Sequence, residues 1–198
     1  MDASCRRTHR RNGAERERIW LIDIRRLIDW AESRPEIDAG RIGIIAFSHG
    51  AILAGTVAAN EPRLAATVLV MGGAHANEVI AYCDGERTGG AQDVALVSFG
   101  WNQGEFAAQL EPVFRPVDPA TYPGRVDPFR VLIIDSKKDR CMPPGSREAL
   151  WQAMGRPERY TIHADHRTSF FSMTMLSFNW MRHRIWDFFE QKLAINAR

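Results

Sequence analysis

Three side chains at widely separated positions have the types and placing that nucleophilic acyl chemistry needs: Ser48, Asp139 and His166. A serine hydroxyl attacks a carbonyl only when a base takes its proton, and that base must be held by a third group. Ser48 lies in Ala46-Phe47-Ser48-His49-Gly50, between an apolar run containing Ile42, Ile44 and Ile45 and an Ala-rich helical segment. A nucleophile on such a strand-to-helix turn sits at a strained backbone angle. Strand and helix then pass so close that the side chains two before and two after it must be small. Ala46 and Gly50 meet that demand.

The partners follow from sheet geometry. In a parallel sheet the C-terminal ends of the strands share one edge, so loops after different strands converge there. The strand RVLIID ends at Asp135, and Ser136-Lys137-Lys138 carries the chain over the edge to Asp139, the favoured acid. Asp135 is its competitor, but at a strand end it is better placed to fix the loop backbone. His166 lies on a loop just past the last strand, where a base must sit, and His163, nearer the strand, is the rival. His9, His75 and His183 read as tail, loop and helix-surface residues. His49 is expected to offer its backbone N–H to a developing oxyanion, helped by the helix dipole behind it.

The elements that must position these groups are legible in the hydrophobic pattern. Residues 1–14 form a polar tail, with arginines at 6, 7, 10 and 11 continuing to 16 and 18. No aromatic residue interleaves those arginines, so a solvated tail is expected rather than a nucleic-acid arm. Residues 15–33 carry Leu21, Ile24, Ile28 and Ala31 at helical steps, with Ile22, Leu27 and Trp30 widening the stripe. Buried strands are expected at the Arg41 run, at 66–71 and at 130–135, and a shorter one at 159–163. Helices are expected after the serine, over 145–154, and from past His166 to about residue 193. Between the second and third strands, residues 72–128 are Gly-rich and irregular, with short helical suggestions at 77–82 and 105–110. A piece of that length reads as a cap or pocket-lining excursion. Strands alternating with helices predict one α/β domain over 15–198, a parallel sheet flanked by helices on both faces.

Composition bounds the rest. Hydrophobic residues at 45% and charged residues at 25% are ordinary for a soluble domain, and the net charge of +2 calls for no polyanionic partner. Cys5, Cys83 and Cys141 make neither a metal-ligand spacing nor an even framework, which points to a reducing, cytoplasmic setting. No apolar run is long enough to span a bilayer, and no signal region opens the sequence.

The phrase IDAGRIGIIAFSHGA is similar to the elbow region of the α/β-hydrolase superfamily, in its dienelactone hydrolase and acyl-peptidase-like esterase branches. VLIIDSKKDRCMPP, with proline four residues past Asp139, resembles the acid loop of the same family, and the 27-residue step from Asp139 to His166 suits it. The likeness covers residues 20–195, with Ala46 standing where the motif usually has glycine. It implies a serine hydrolase acting on a small-molecule ester or related acyl compound through an acyl-enzyme. No metal and no organic cofactor are implied. Phe47 and His49 flank the serine and would see substrate, and Phe99, Trp101 and Phe106 of the excursion are candidates to line an acyl pocket.

The family also places about four strands before the elbow, whose loops donate a second oxyanion N–H. Only 47 residues precede Ser48 here, so the resemblance implies an α/β-hydrolase-like fold that is N-terminally short. The Arg41 strand would then present an apolar edge, on which two copies could form a homodimer. The alternative to an enzyme is a non-catalytic or incomplete scaffold that self-associates through that edge.

Overall fold

The computed structural model describes residues 3–83, 92–174 and 179–194, without the side chains of 3–14, 171–174, 179, 180 and 194. Four strands form one sheet in the order β1-β2-β3-β4: β1 Gly43–Phe47, β2 Ala66–Val70, β3 Val131–Ser136 and β4 Glu158–Ile162. Every neighbouring pair is parallel, with Ile45 opposite Val68, Val68 opposite Leu132 and Ile134 opposite Tyr160. β2 and β3 are buried along their whole length, as continuous β-branched and leucine runs require when both faces are covered.

The alternation of side chains assigns the two faces. Leu69, Val131 and Ile133 pack on one side against Ala51 and Ala54 of α2 (His49–Asn60) and Leu150 and Ala153 of the helix Pro144–Ala153. Val68, Val70, Leu132 and Ile134 pack on the other against Met181, Ile185 and Phe188 of the helix Asn179–Ala194. Period-two burial in the strands thus yields a three-layer α/β sandwich. Small residues let α2 lie close: a Cβ added at Gly55 would meet Leu150 and Pro119 at 3.2 Å.

The first helix, α1 (Ala3–Glu32), lies against α2, with Ile28, Val57 and Leu64 as its buried contact and Leu21 and Ile24 beside them. Its outer face keeps Trp20, Leu27 and Trp30 exposed. Backbone from Ala3 onward is helical, so the expected tail continues α1 rather than standing apart; the first two residues and the tail's side chains lie outside the described residues. Arg63 locks α1 to the sheet layer by bonding Asp29 and Glu32 at 2.7 and 2.6 Å while gripping Glu61, a carboxylate with 2% exposure.

The excursion between β2 and β3 holds α3 (Ala76–Tyr82) and α4 (Gln103–Phe114), then short 3-10 turns; its residues 84–91 lie outside the described residues. α4 is longer than its apolar pattern suggests because Asn102 and Glu105 form a capping box at its start. Helices α5 (Pro144–Ala153), α6 (His166–Thr174) and α7 (Asn179–Ala194) complete the described chain. The long helix expected after His166 is present as α6 and α7, with 175–178 outside the described residues.

The cysteine reading needs correction. Cys83, at the end of α3, and Cys141, two residues past Asp139, are joined as a disulfide. Their separation of 58 residues gave no pairing signal. No helix of the described residues is long and apolar enough to cross a membrane.

Candidate active site

β1 passes directly into α2 through Ser48, which has φ 55° and ψ −125°. An L-residue avoids that region unless its surroundings impose it. Here they do: Ser48 N–H donates to Val70 O at 2.8 Å, prolonging the ladder with β2, and Ser48 O accepts from Ala51 N–H at 2.9 Å, opening the helix. The small flanking residues are also explained. A Cβ added at Gly50 would lie 3.9 Å from the Ala46 Cβ, an ordinary contact that alanine at both places would make. The same turn leaves the His49 N–H at the N-terminus of α2.

The Ser48 hydroxyl oxygen is 2.8 Å from His166 Nε2, and His166 Nδ1 is 2.6 Å from Asp139 Oδ2. Each partner is fixed by its own element. Asp139 follows the end of β3, its side chain fully buried, and its Oδ1 accepts the Cys141 and Met142 N–H groups at 2.8 and 2.9 Å. His166 is the first residue of α6, whose start is capped by Asp165: Oδ1 accepts the Thr168 N–H and Oδ2 the Thr168 hydroxyl, both at 2.8 Å. The Thr168 N–H holds the Asp165 carboxyl below the usual aspartate range. With Asp139 accepting from Nδ1–H, the neutral imidazole turns its Nε2 lone pair to the serine, which is the tautomer a general base needs.

The rival residues are elsewhere. Asp135 is fully buried and ion-paired with Arg159, Nε to Oδ2 at 2.5 Å. Burial pushes its carboxyl above the usual range, against the pull of Arg159. The expectation that Asp135 fixes the loop backbone is not met: its side chain bonds Arg159 of β4, and its Oδ1 finds no partner among the described residues. His163 is exposed.

The flanking residues divide. Phe47 turns to the α7 face of the sheet and meets Phe170 of α6 edge-on, with ring centres 6.1 Å apart. Phe99 and Trp101 pair with each other at 4.7 Å, and Trp101 packs on the cluster of Phe106, Leu110 and Phe114 between α3 and α4. Phe106 is a core residue at 7% exposure. That cluster reaches the site through Ile52, one turn along α2, and Met142 of the acid loop. Among the described residues no three His, Cys, Asp or Glu side chains gather as a metal site.

No family model matches the sequence, and no curated protein matches it. Solved structures do. Pyrococcus horikoshii acylaminoacyl peptidase superposes with a TM-score of 0.60 at 19% identity, over 85% of this chain and 26% of the peptidase. A Pyrococcus furiosus esterase superposes with a TM-score of 0.63 at 16% identity, over 87% of this chain and 62% of the esterase. Acetyl xylan esterase from Paenibacillus sp. R4 gives 0.55 at 20% identity, over 80% of this chain and half of that one. The fold is that of the α/β-hydrolases. The chain spans about a quarter of the peptidase and under two thirds of the first esterase.

Among the described residues β1 is an edge: it pairs only with β2, and Gly43 and Ile45 are exposed on it. Several site neighbours were not singled out from sequence. Glu17 of α1, 5% exposed, holds the His49 ring with both oxygens 3.1 Å from Nε2. Phe170 stands one turn beyond His166 on α6, a relation that starting the helix at His166 would have exposed. Ser136 and Ser169 meet beneath the site.

Proposed function

We propose that this chain carries the catalytic centre of a serine hydrolase that cleaves an ester or related acyl bond through an acyl-enzyme on Ser48. The observation that carries the reading is the unbroken line from Ser48 Oγ to His166 to the buried Asp139 carboxylate, with the serine held at positive φ. In the first step Ser48 Oγ attacks the acyl carbon while His166 Nε2 takes the hydroxyl proton. Asp139 Oδ2 holds Nδ1–H and stabilises the imidazolium. The carbonyl oxygen, now anionic, is met by the His49 N–H and the positive end of α2. Collapse expels the alcohol, which receives the proton from His166. Water, deprotonated by the same imidazole, then releases the acid and restores Ser48. The three side chains and water suffice, with a small acyl compound as the partner. In this reading Phe47 and its neighbour Phe170, with Phe99 and Trp101 farther out, supply apolar contacts for the substrate.

The test is hydrolysis of short p-nitrophenyl esters by the purified chain, with Ser48→Ala as control. An initial burst of nitrophenol stoichiometric with protein, absent in Ser48→Ala, is expected. Equal hydrolysis by the variant would remove Ser48 from the chemistry.

A second reading has its own observation. The exposed β1 edge and the exposed Trp20, Leu27 and Trp30 of α1 suit a scaffold that self-associates as a homodimer. Light scattering on the eluted protein reads that state: a monomer at micromolar concentration contradicts it.

A further inference from the structure

We infer that Ser136 and Ser169 are positioning residues that set the His166–Asp139 geometry; the inference rests on the reading of Ser48, His166 and Asp139 as the reacting groups. The two hydroxyls are fully buried, and Ser136 Oγ donates to Ser169 Oγ at 2.6 Å. Ser136 is the last residue of β3, three before Asp139, whose N–H bonds back to Ser136 O at 3.3 Å. Ser169 is on α6, three residues after His166, and residues three apart on a helix share a face. The serine pair therefore joins the same two elements that the His166–Asp139 contact joins.

One hydrogen bond between a strand end and a helix fixes their separation but leaves the helix free to pivot about it. A second bond from the same helix face removes that pivot. The strand side is itself immobilised, because the buried Arg147 of α5 donates from Nη1 to Ser136 O at 2.7 Å. The backbone leading to α6 is tied to the same loop by Lys137 N–H to Ile162 O at 2.7 Å and Lys138 N–H to Ala164 O at 3.1 Å. Alanine at both positions would fill nearly the same volume without any polar group to satisfy. The hydroxyls add direction rather than packing, since a buried polar group is kept only with its partner in line. Ångström-scale misplacement of a catalytic group lowers rate steeply, so this bond acts on His166 at a distance.

The test compares wild type with Ser136→Ala/Ser169→Ala, which orphans no hydroxyl, and with Ser169→Ala alone should the double variant fail to fold. Three quantities are read: the rate of fluorophosphonate labelling of Ser48, KM against kcat for an aryl ester, and the downfield proton resonance of His166 Nδ1–H. We expect labelling and kcat to fall about 10- to 100-fold, with KM unchanged. The resonance should broaden or move upfield in a protein that still melts cooperatively. A single and a double substitution should give similar losses, because they remove one shared bond. A folded variant with wild-type labelling and resonance overturns the inference, even if its Tm is lower. If the wild type itself never labels, the reading of Ser48 fails separately. The resonance then decides alone: its retention in the double variant overturns the positioning role, and its loss supports it.

Discussion

Converting Asp139 to asparagine should abolish most activity for a reason specific to this loop. The carboxylate is held by three hydrogen bonds with divided labour: Oδ1 takes the Cys141 and Met142 N–H groups, and Oδ2 takes His166 Nδ1. Asparagine has one oxygen. Two backbone donors, 2.8 and 2.9 Å away, will claim it for the Oδ1 position. The NH₂ group is then turned to His166, where it can only donate. His166 Nδ1 must become the acceptor, so the proton moves to Nε2, 2.8 Å from Ser48 Oγ, and the base no longer has a lone pair for the serine. Neutralising the orienting acid of such a triad lowers kcat about 10⁴-fold, a barrier increase of roughly 5 kcal/mol. The assay is the second-order rate of fluorophosphonate labelling and p-nitrophenyl ester turnover, beside a melting curve. The fold should survive, since both loop N–H groups keep an acceptor. Turnover within tenfold of wild type in Asp139→Asn would refute the tautomer argument and the role given to Asp139.

Three further outcomes follow from other parts of the structure. Ser48→Gly should stop labelling yet raise Tm: release of backbone strain is about 1–3 kcal/mol, offset by about 0.5–1 kcal/mol for glycine's freedom when unfolded. The net gain of roughly 1 kcal/mol corresponds to about 2–4 °C, and a lower Tm would show that Ser48 is not strained. The Arg63 guanidinium holds the Glu61 carboxyl below the usual glutamate range, so the stability this carboxylate adds is complete above about pH 4.3 and is lost as pH falls through its lower folded value. Glu61→Gln should lower Tm at pH 7 and flatten the acid limb of the Tm–pH curve; parallel curves would contradict this. Alkylation of the native chain before reduction should leave Cys83 and Cys141 unmodified, and loss of a link closing a 58-residue separation should lower stability by about 4 kcal/mol. Three reactive thiols in the native protein would show the pair to be unlinked.

What was legible in the sequence is what local rules and strand-end geometry can carry. Ala46 and Gly50 mark a strand and helix in close approach, and the structure places Ser48 at positive φ between them. Asp139 and His166 were singled out because parallel strands deliver their following loops to one edge, and the loops after β3 and β4 bring these two side chains into contact. Asp135 was set apart from Asp139 by its place at the strand end; there its side chain pairs with Arg159, which lies opposite Ile133, rather than with loop backbone. The rest depended on contacts that no local pattern encodes. Glu17 reaches His49 from 32 residues away, and Cys83 meets Cys141 from 58. Ser136 and Ser169 are unremarkable serines in sequence, and only the register of α6 against β3 makes them partners. Phe99 and Trp101 look like pocket residues by type, but their placement depends on how α3 and α4 pack, which composition does not specify.

The most direct measurement is the intact mass of the purified chain after incubation with a fluorophosphonate probe, followed by peptide mapping. The account predicts one adduct, on Ser48, that forms slowly or not at all in His166→Ala. A cooperatively folded protein that gains no adduct would contradict it, leaving the turn at Ser48 as fold architecture without an activated serine.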